Sequence, residues 1–440
     1  FEESDVPYAK INNINEALQD EQIIHNKLVY RNGGNTHIGQ FIDFESGLNT
    51  TNNTKNYKRN DFQLPLEGFK ALEVTNVIAG PVSGRILANL GVEVIKMEPP
   101  GGEISRPFEV GYFQNLNRNK NAVCINTKTE KGKSLAQELI KTVDIYVENM
   151  RPGASERVGY GKADLDKLNP TIVQTHIAAY GNDGPYVHRP GLDPIAQSIT
   201  GLQSIQGGNG APVLLSMLAP TDFTAGGMAA LGTVAGLYNK IINETGSIVN
   251  TNLLAGGILL NGAKINNYLN NKDNVNFINK DQNGISDFNR AYKASDGWLY
   301  IYKNSDDSQN LYTKFNSLFN EKIQSVYELE VCFESRKIES IIEKLKDSDI
   351  HICKVNDPTI DEYDFLLNPV TWDQVTDTND HPSLISLEIA HNMHGFGLDN
   401  VYIPNYPKLG EHNLYYLSQL GYSKEDLNKF ESEGILNSAQ

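Results

Sequence analysis

Residues 72–102, LEVTNVIAGPVSGRILANLGVEVIKMEPPGG, constrain the fold of this chain more than any other stretch. The pattern predicts a buried strand at 71–75, a tight turn at Ala79-Gly80-Pro81 and the next strand at 92–97. Pro81 suits the first position of the intervening helix because it has no N–H to lose there. The segment therefore predicts a βαβ unit with a helix N-terminus facing the end of the first strand.

The turn after this first strand also restricts the chemistry. Free amides and the partial positive charge at a helix N-terminus suit a phosphate or a developing oxyanion. The turn lacks the GxGxxG fingerprint, so a hydride-transfer cofactor is not expected. Strand and helix patterns continue to alternate up to about residue 263, which predicts a parallel sheet covered by helices.

Composition excludes several classes of protein. A chain of 440 residues with 39% hydrophobic content can bury a large core and form more than one domain. The formal net charge of −16 argues against binding to nucleic acid or to an anionic membrane surface. Three widely spaced cysteines indicate a reducing, cytoplasmic compartment. The sequence has no apolar run near the ~20 residues that span a bilayer.

A series of further motifs follows the first segment in order. The motifs are NRNKNAVCINTKTEKGK, DIYVENMRPGASERVGYG, NPTIVQTHIAAYGNDGPY, PGLDPIAQSITGLQSIQG, LAPTDFTAGGMAALG, YKASDGWLYI and YPKLGEHNLYYLSQLGYS. With the strand–AGP–helix–LGxxVIKxEPPGG segment, they resemble the family III CoA-transferases, the group that contains formyl-CoA, carnitine and bile-acid CoA-transferases and the α-methylacyl-CoA racemases. The resemblance runs from about residue 66 to the C-terminus.

The resemblance implies an α/β fold with a Rossmann-like large domain and a smaller α+β domain, in which two subunits interlock. The large CoA-binding domain is expected at 66–265 and the small domain at 285–400. An Asn-rich linker is expected at 266–284, and the segment 401–440 is expected to return to the large domain. Ser423 is predicted to cap a terminal helix within residues 421–436.

The N-terminal residues contain an apparent repeat. DVPYAKIN at 5–12 matches DIHICKVN at 349–356 in the pattern D-[VI]-x-x-x-K-[IV]-N, which in this family belongs to the small domain. Residues 1–46 are therefore interpreted as the tail of a preceding CoA-transferase copy, with a polar linker at 47–65. Chance similarity in a short amphipathic stretch is the alternative. Tandem members of the family include the dimethylsulfoniopropionate CoA-transferase/lyase, which favours that substrate.

Asp222, in LAPTDFTAGG, is the principal candidate catalytic residue. The resemblance implies that its carboxylate attacks an acyl-CoA thioester and gives a mixed anhydride, which the thiolate reopens as an aspartyl-CoA thioester. Small neighbours such as Gly226 and Gly227 would let a bulky thioester approach. The alternative role is an Asp that caps a helix starting near Phe223.

Asp193, in PGLDPIAQ, is the second catalytic candidate. The matching stretch in racemase relatives usually reads G-H-D, and its Asp works with the His to move an α-proton. Leu192 replaces that His here, which counts against racemase chemistry. A hydrogen-bonded structural role for Asp193 remains open.

The CoA site follows from the same register. The turn after the first strand could present backbone amides to the thioester oxygen. The expected cofactor-binding residues are this turn, two basic contacts to phosphates and two residues along the adenine and pantetheine path, namely Asn76, Val77, Ile78, Ala79, Lys128, Arg157, Asn149 and Met150. Pro99 stands where formyl-CoA transferase has an Arg, so Arg106 is a candidate for a further phosphate contact.

The sequence thus predicts a CoA-transferase that moves CoA from a short-chain acyl-CoA to a carboxylic acid, with dimethylsulfoniopropionate or a carnitine-like zwitterion favoured. CoA is expected as a substrate, without a permanently bound cofactor. No metal site is expected, because His391 and His394 have no evident third ligand. A homodimer, or pairing with a preceding copy, is expected. The alternatives are an α-methylacyl-CoA racemase and a non-catalytic half of a tandem enzyme.

Overall fold

The structure is a computed structural model that describes residues 4–32, 35–49, 64–108, 112–216, 218–270, 277–303, 308–355 and 406–438. The chain divides into two compact units. The larger unit contains Phe1–Leu202, Leu215–Leu269 and Trp372–Gln440, and the smaller contains Gln203–Leu214 and Asn270–Thr371. The segment 203–214 thus belongs to the smaller unit, whereas the sequence placed it inside the large domain. His391 and His394 lie outside the described residues.

The strands of the described residues are β1 Val29–Asn32, β2 Asn35–Ile38, β3 Asp43–Asn49, β4 Lys70–Val74, β5 Glu93–Glu98, β6 Asn121–Cys124, β7 Ile145–Glu148, β8 Val173–Ala178, β9 Thr245–Asn252, β10 Gly284–Ser286, β11 Asn289–Ala294, β12 Gly297–Tyr302 and β13 His351–Val355.

The helices of the described residues are α1 Ile14–Ala17, α2 Glu21–His25, α3 Ala79–Asn89, α4 Tyr112–Leu116, α5 Glu130–Ile140, α6 Ala154–Val158, α7 Lys162–Leu168, α8 Asp193–Ile199, α9 Leu202–Gly207, α10 Pro220–Asn243, α11 Leu253–Leu260, α12 Gly262–Asn270, α13 Ser308–Phe319, α14 Val326–Glu334, α15 Ile338–Leu345, α16 Asn413–Gln419 and α17 Lys424–Ser432.

The larger unit is built on a seven-stranded sheet with the order β3-β9-β8-β7-β4-β5-β6. All neighbours from β9 to β6 pair in parallel, as the alternating pattern predicted, and β3 pairs antiparallel with β9. The six parallel strands follow the order of the dinucleotide-binding fold, in which the chain direction across the sheet reverses between β4 and β7. Ligands of such sheets bind at the carboxyl ends of the strands beside this reversal, which marks the ends of β4 and β7 as the site to examine.

The N-terminal segment packs on the larger unit. The fully buried Gln22 side chain donates to the carbonyls of Tyr180 and Asp183 at 3.0 Å each and accepts from the Tyr186 amide at 2.7 Å. The segment also supplies edge strand β3, which runs to Asn49, so residues 47–49 are not the linker that the sequence predicted. Backbone amides that pair with β9 fix these residues more strongly than their polar composition suggests.

The described part of the C-terminal segment covers the opposite edge of the same sheet. His412 donates its amide to the Ala122 carbonyl at 2.9 Å, and the Asn413 side chain accepts from the Cys124 amide at 2.8 Å. Helix α17 begins after Ser423, whose side chain accepts from the Asp426 amide, which confirms the predicted cap. Helices α16 and α17 contribute apolar side chains to the large core, namely Tyr416, Leu417, Leu427 and Phe430.

The smaller unit contains the antiparallel sheet β10-β11-β12-β13. An aromatic core that includes Phe288, Tyr292, Phe315 and Phe333 lies between this sheet and the helices α13 to α15. The linker predicted at 266–284 is too long, because α12 continues to Asn270 and β10 begins at Gly284. In the described part of the chain, no helix has the length and apolar content needed to cross a membrane.

Candidate active site

The turn between β4 and α3 lies at the reversal of the sheet. Helix α3 begins at Ala79, so Ala79-Gly80-Pro81 forms the first helical turn and not the preceding loop, and Pro81 is the third helical residue. The sequence prediction was wrong here because the chain reverses earlier, at Val77, whose φ of +65° lies in the left-handed region. A β-branched residue in that region is strained and must be held by its surroundings.

Hydrogen bonds hold the first half of this turn. Asn76 donates its amide to Asn149 Oδ1 and accepts from Asn149 Nδ2 at its own carbonyl, both at 2.8 Å. Asn149 directly follows β7, so this pair bridges the two strands on either side of the reversal. The Val77 amide donates to Glu103 Oε2 at 2.8 Å. The amides of Asn76 and Val77 are therefore occupied within the protein and do not face a ligand, contrary to expectation.

The second half of the turn is different. Among the described residues, no acceptor is present for the amides of Ile78 and Ala79, which open the 11-residue helix α3. Helix N-termini leave such donors for caps, water or ligands, and they carry a partial positive charge. These two amides are the part of the predicted turn that can still receive a thioester oxygen.

Asp222 is the third residue of the 24-residue helix α10. The capping position is Ala219, at φ +38° and without a side-chain cap, so the alternative in which Asp222 caps the helix is wrong. The Asp222 side chain is partly buried, and no described residue donates a hydrogen bond to it. Burial, followed by the negative charge of Asp193, raises the pKa of Asp222 to about 7. The site therefore holds a carboxylate that is poorly solvated near neutral pH.

Asp193 is a hydrogen-bonded partner of the same helix. Its buried carboxylate accepts from the Thr221 amide at 2.9 Å and from Thr221 Oγ1 at 2.6 Å. Gln197 Nε2 also donates to it, at 2.5 Å. Asp193 thus satisfies an amide in the first turn of α10 and fixes the residue next to Asp222. Leu192, at the usual place of the racemase His, is half-exposed and has no group that could exchange a proton.

Helix α10 packs closely against the start of α3. A Cβ on Gly226 would lie 2.5 Å from the Ala79 carbonyl oxygen and 2.7 Å from Val82 Cβ, so only glycine fits. Ala219 belongs to the same apolar cluster as Ile78 and Val82. Gly226 lies one helical turn after Asp222, so this contact brings Asp222 to the side of the β4–α3 turn. By contrast, a Cβ on Gly227 would meet nothing within 4 Å, which leaves open space on that flank.

The two predicted phosphate contacts are exposed at the carboxyl edge of the sheet. Lys128 follows β6, and Arg157 lies in α6 after β7. No described residue forms an ion pair with either of them. Arg106 is unsuited to the role that the sequence suggested, because its guanidinium binds both Glu98 carboxylate oxygens, at 2.6 and 2.5 Å, and stacks on Phe113.

A cavity of about 680 Å³ opens at the carboxyl ends of β7, β8 and β9 in the larger unit. Met150, which follows Asn149, lines the cavity, and so do Phe41 and Asp43 of the N-terminal segment. Five carboxylates line the cavity, belonging to Asp43, Glu45, Glu148, Glu156 and Asp183. The His176 ring is held by Glu148 at 2.8 Å.

Sequence reasoning missed Glu103, which fixes Val77, and a set of buried charges beneath the turn. An acidic residue in the Gly-rich loop directly after β5 was the available signal for Glu103. In the described part of the chain, no group of three His, Cys, Asp or Glu side chains could hold a metal ion.

Comparison with known proteins identifies the family of this chain. The model of CoA-transferase family III matches residues 66–413. The succinyl-CoA:glutarate CoA-transferase of Mus musculus is 35% identical over 249 residues, covering 55% of this chain and 57% of the relative. The formyl-CoA:oxalate CoA-transferase of Streptomyces avermitilis is 37% identical over 192 residues, covering 42% and 47%. The chain spans about half the length of the curated relatives it matches.

Solved structures share the architecture over a longer range. A crystal structure of Rv3272 from M. tuberculosis aligns with a TM-score of 0.62 at 26% identity, covering 80% of this chain and 99% of the other. A CAIB/BAIF family protein from Brucella suis aligns with a TM-score of 0.66 at 21% identity, covering 81% and 99%. The Rossmann-like sheet, the smaller α+β unit and the match over residues 66–413 together show that the chain belongs to CoA-transferase family III.

Proposed function

We propose that this chain transfers CoA from a short-chain acyl-CoA to a carboxylic acid, with Asp222 as the nucleophile. The observation that supports this proposal best is the state of the Asp222 carboxylate. It lies partly buried at the start of α10, receives no hydrogen bond from the described residues and has a pKa raised to about 7. A carboxylate with few donors is a stronger nucleophile than one that is fully solvated.

In the proposed reaction, an Asp222 oxygen attacks the thioester carbonyl carbon and the C–S bond breaks, which gives an acyl anhydride and CoA thiolate. The thiolate attacks the Asp222 carbonyl of the anhydride, so the donor acid leaves as a carboxylate and an aspartyl-CoA thioester remains. The acceptor carboxylate then attacks the aspartyl-CoA thioester carbonyl and releases the thiolate again. The thiolate attacks the acceptor acyl carbon of this second anhydride, which frees the Asp222 carboxylate and gives the acceptor CoA thioester. The cycle consumes no net proton, and the amides of Ile78 and Ala79 would stabilise the tetrahedral oxyanions.

The proposed path of CoA runs along the carboxyl edge of the sheet. Lys128 and Arg157, which form no ion pair with a described residue, would meet phosphates there, and Met150 would line the pantetheine path beside the Asn76–Asn149 bridge. Because, among the described residues, five carboxylates and only two lysines, Lys27 and Lys162, line the cavity, we place the phosphates outside it, near the two exposed basic residues.

For the acceptor we retain a zwitterionic acid such as dimethylsulfoniopropionate or a carnitine-like betaine. The Phe41 ring and the carboxylates of Asp43 and Glu156, which form no ion pair with a described residue, suit an onium group, although Asp222 is not among the residues that line the cavity. The relatives are named for glutarate and oxalate, so these dicarboxylates are the competing acceptors.

The test is an acceptor panel with acetyl-CoA and succinyl-CoA as donors, using the full chain. Transfer to a betaine-type acid above the rates for glutarate and oxalate supports the assignment, and preference for a dicarboxylate overturns the zwitterion choice. Hydroxylamine added with acyl-CoA should trap an activated carboxyl at Asp222. Exchange of the substrate α-proton with solvent deuterium without transfer would indicate a racemase instead.

A further inference from the structure

Three buried charges lie beneath the β4–α3 turn. The side chains of Glu73, Lys96 and Lys120 are fully excluded from solvent. Lys96 Nζ lies 3.2 Å from Glu73 Oε1, and Lys120 Nζ lies 2.8 Å from Glu73 Oε2. Burying three charged side chains costs free energy that three apolar side chains of similar volume would not cost. Stability alone therefore does not explain this cluster.

The two ammonium groups bind opposite ends of the turn. Lys96 donates to the Thr75 carbonyl at 3.0 Å, and Lys120 donates to the Pro81 carbonyl at 2.9 Å. Thr75 Oγ1 also donates to Glu73, at 2.6 Å. We call these two hydrogen bonds, from Lys96 to Thr75 before the turn and from Lys120 to Pro81 after it, the tethers of the turn. The carboxylate of Glu73 contacts both lysines and so links the two tethers.

Helix α3 is shaped to admit this cluster. A Cβ on Gly84 would lie 1.7 Å from Glu73 Oε2, and a Cβ on Gly80 would lie 2.4 Å from Thr75 Cβ. These glycines are four residues apart and therefore share one face of the helix. The cluster thus sets how close α3 sits to β4 as well as where the helix begins.

We propose that Glu73, Lys96 and Lys120 are positioning residues that hold the amides of Ile78 and Ala79 where the acyl-CoA thioester oxygen binds. This inference rests on the proposed function. These contacts explain how a strained Val77 persists, because buried, charged donors fix both flanks of the turn. Loss of one tether would let the amides drift, and a misplacement of about 1 Å can cost on the order of a hundredfold in rate.

The test uses Lys120→Met in the full chain, with Lys240→Met as the matched control. Lys240 is also a buried lysine paired to a carboxylate, Asp144 at 3.1 Å, but the pair lies before β7, at the amino edge of the sheet. Lys120→Met should lower kcat roughly tenfold to a hundredfold while the Kd for free CoA changes by less than about threefold. Lys240→Met should lower stability and leave kcat near the wild-type value.

A double variant distinguishes an effect on the position of the amides from an effect on the stability of the fold. Glu73→Gln with Lys120→Met removes one charge of each sign, so it should recover stability, yet it still lacks the tether to Pro81 and should remain slow. Recovery of kcat with stability would overturn the proposal. The rate of hydrogen exchange of the amides at 75–82 should rise in Lys120→Met and not in Lys240→Met. An unchanged exchange rate in Lys120→Met refutes the positioning role, whatever its kcat. Absence of transfer in the wild-type protein would instead refute the proposed function.

Discussion

Replacing Asp222 with Asn should stabilise the protein while it abolishes transfer. Asn has nearly the shape of a protonated Asp but cannot carry the charge that this site disfavours. The pKa of about 7, against an ordinary 3.8, corresponds to a ceiling of roughly 4 kcal/mol at 1.36 kcal/mol for each unit. Because the side chain is only partly buried, solvent screening lowers the expected gain to about 2–3 kcal/mol.

The gain should depend on pH in a defined window. The pKa of Asp222 is raised in the folded state, so between about pH 4 and pH 7 the native protein binds more protons than the unfolded chain. Stability that the wild type has below pH 4 is therefore lost as the pH rises to 7. The stability difference between Asp222→Asn and wild type should be near zero at pH 4 and should stay constant above pH 7.

Urea unfolding at pH 4, 5.5 and 8 measures this difference. Asp164→Asn is a suitable control, because Asp164 is also a first-turn carboxylate, in α7, and its replacement should change stability by less than about 1 kcal/mol. A variant that is equally or less stable than wild type at pH 8 would refute the environment assigned to Asp222. In the wild type, kcat/KM should rise through about pH 7 as the nucleophile ionises.

Four further substitutions probe other parts of the site. Lys128→Ala and Arg157→Ala should each raise the KM for acyl-CoA, and the effect should shrink between about 50 and 500 mM salt, since screening weakens the wild-type contact; equal KM values would refute the phosphate role. Gly226→Ala should lower the free energy of unfolding by about 1–3 kcal/mol and slow transfer, because its Cβ would collide with the Ala79 carbonyl. Thr221→Val should cost about 1–3 kcal/mol in urea unfolding, because the buried Asp193 carboxylate loses a donor.

Local patterns predicted the elements that depend on neighbouring residues. The strands expected at 71–75 and 92–97 are β4 and β5, each shifted by about one residue, and Ser423 caps α17 as expected. Hydrophobic alternation and capping residues act over a few positions, so they can be read directly from the chain.

The features that the sequence did not show depend on distant partners. Strand β3 exists because it pairs with β9, about 200 residues later, and its last three residues were assigned to the polar linker. Lys96 and Lys120 were absent from the predicted site because lysine is normally a surface residue, and only the fold places Glu73 between them. The start of α3 was misplaced because the residues that hold the turn at Asn76 and Val77, Asn149 and Glu103, are distant in sequence.

The repeat in the N-terminal residues also shows that a local sequence pattern does not determine structure without its distant partners. Residues 6–13 form no strand, whereas 351–355 form β13 beside β12, although the two segments share a sequence pattern. A strand needs a partner, so one pattern can give different structures in two settings. The proposal of a preceding copy therefore rests on the sequence pattern and not on a shared conformation.

The free energy that the folded protein loses when Asp222 ionises favours the first step of the proposed reaction. In the free protein the carboxylate lies near the negative charge of Asp193 and accepts no hydrogen bond from the described residues. Attack on a thioester removes the charge from Asp222 and moves it, through the tetrahedral oxyanion, to the departing thiolate. The repulsion and the poor solvation are both relieved as the anhydride forms, while the amides of Ile78 and Ala79 meet the new oxyanion. The instability that Asp222→Asn should remove is thus the same free energy that favours the first step of transfer.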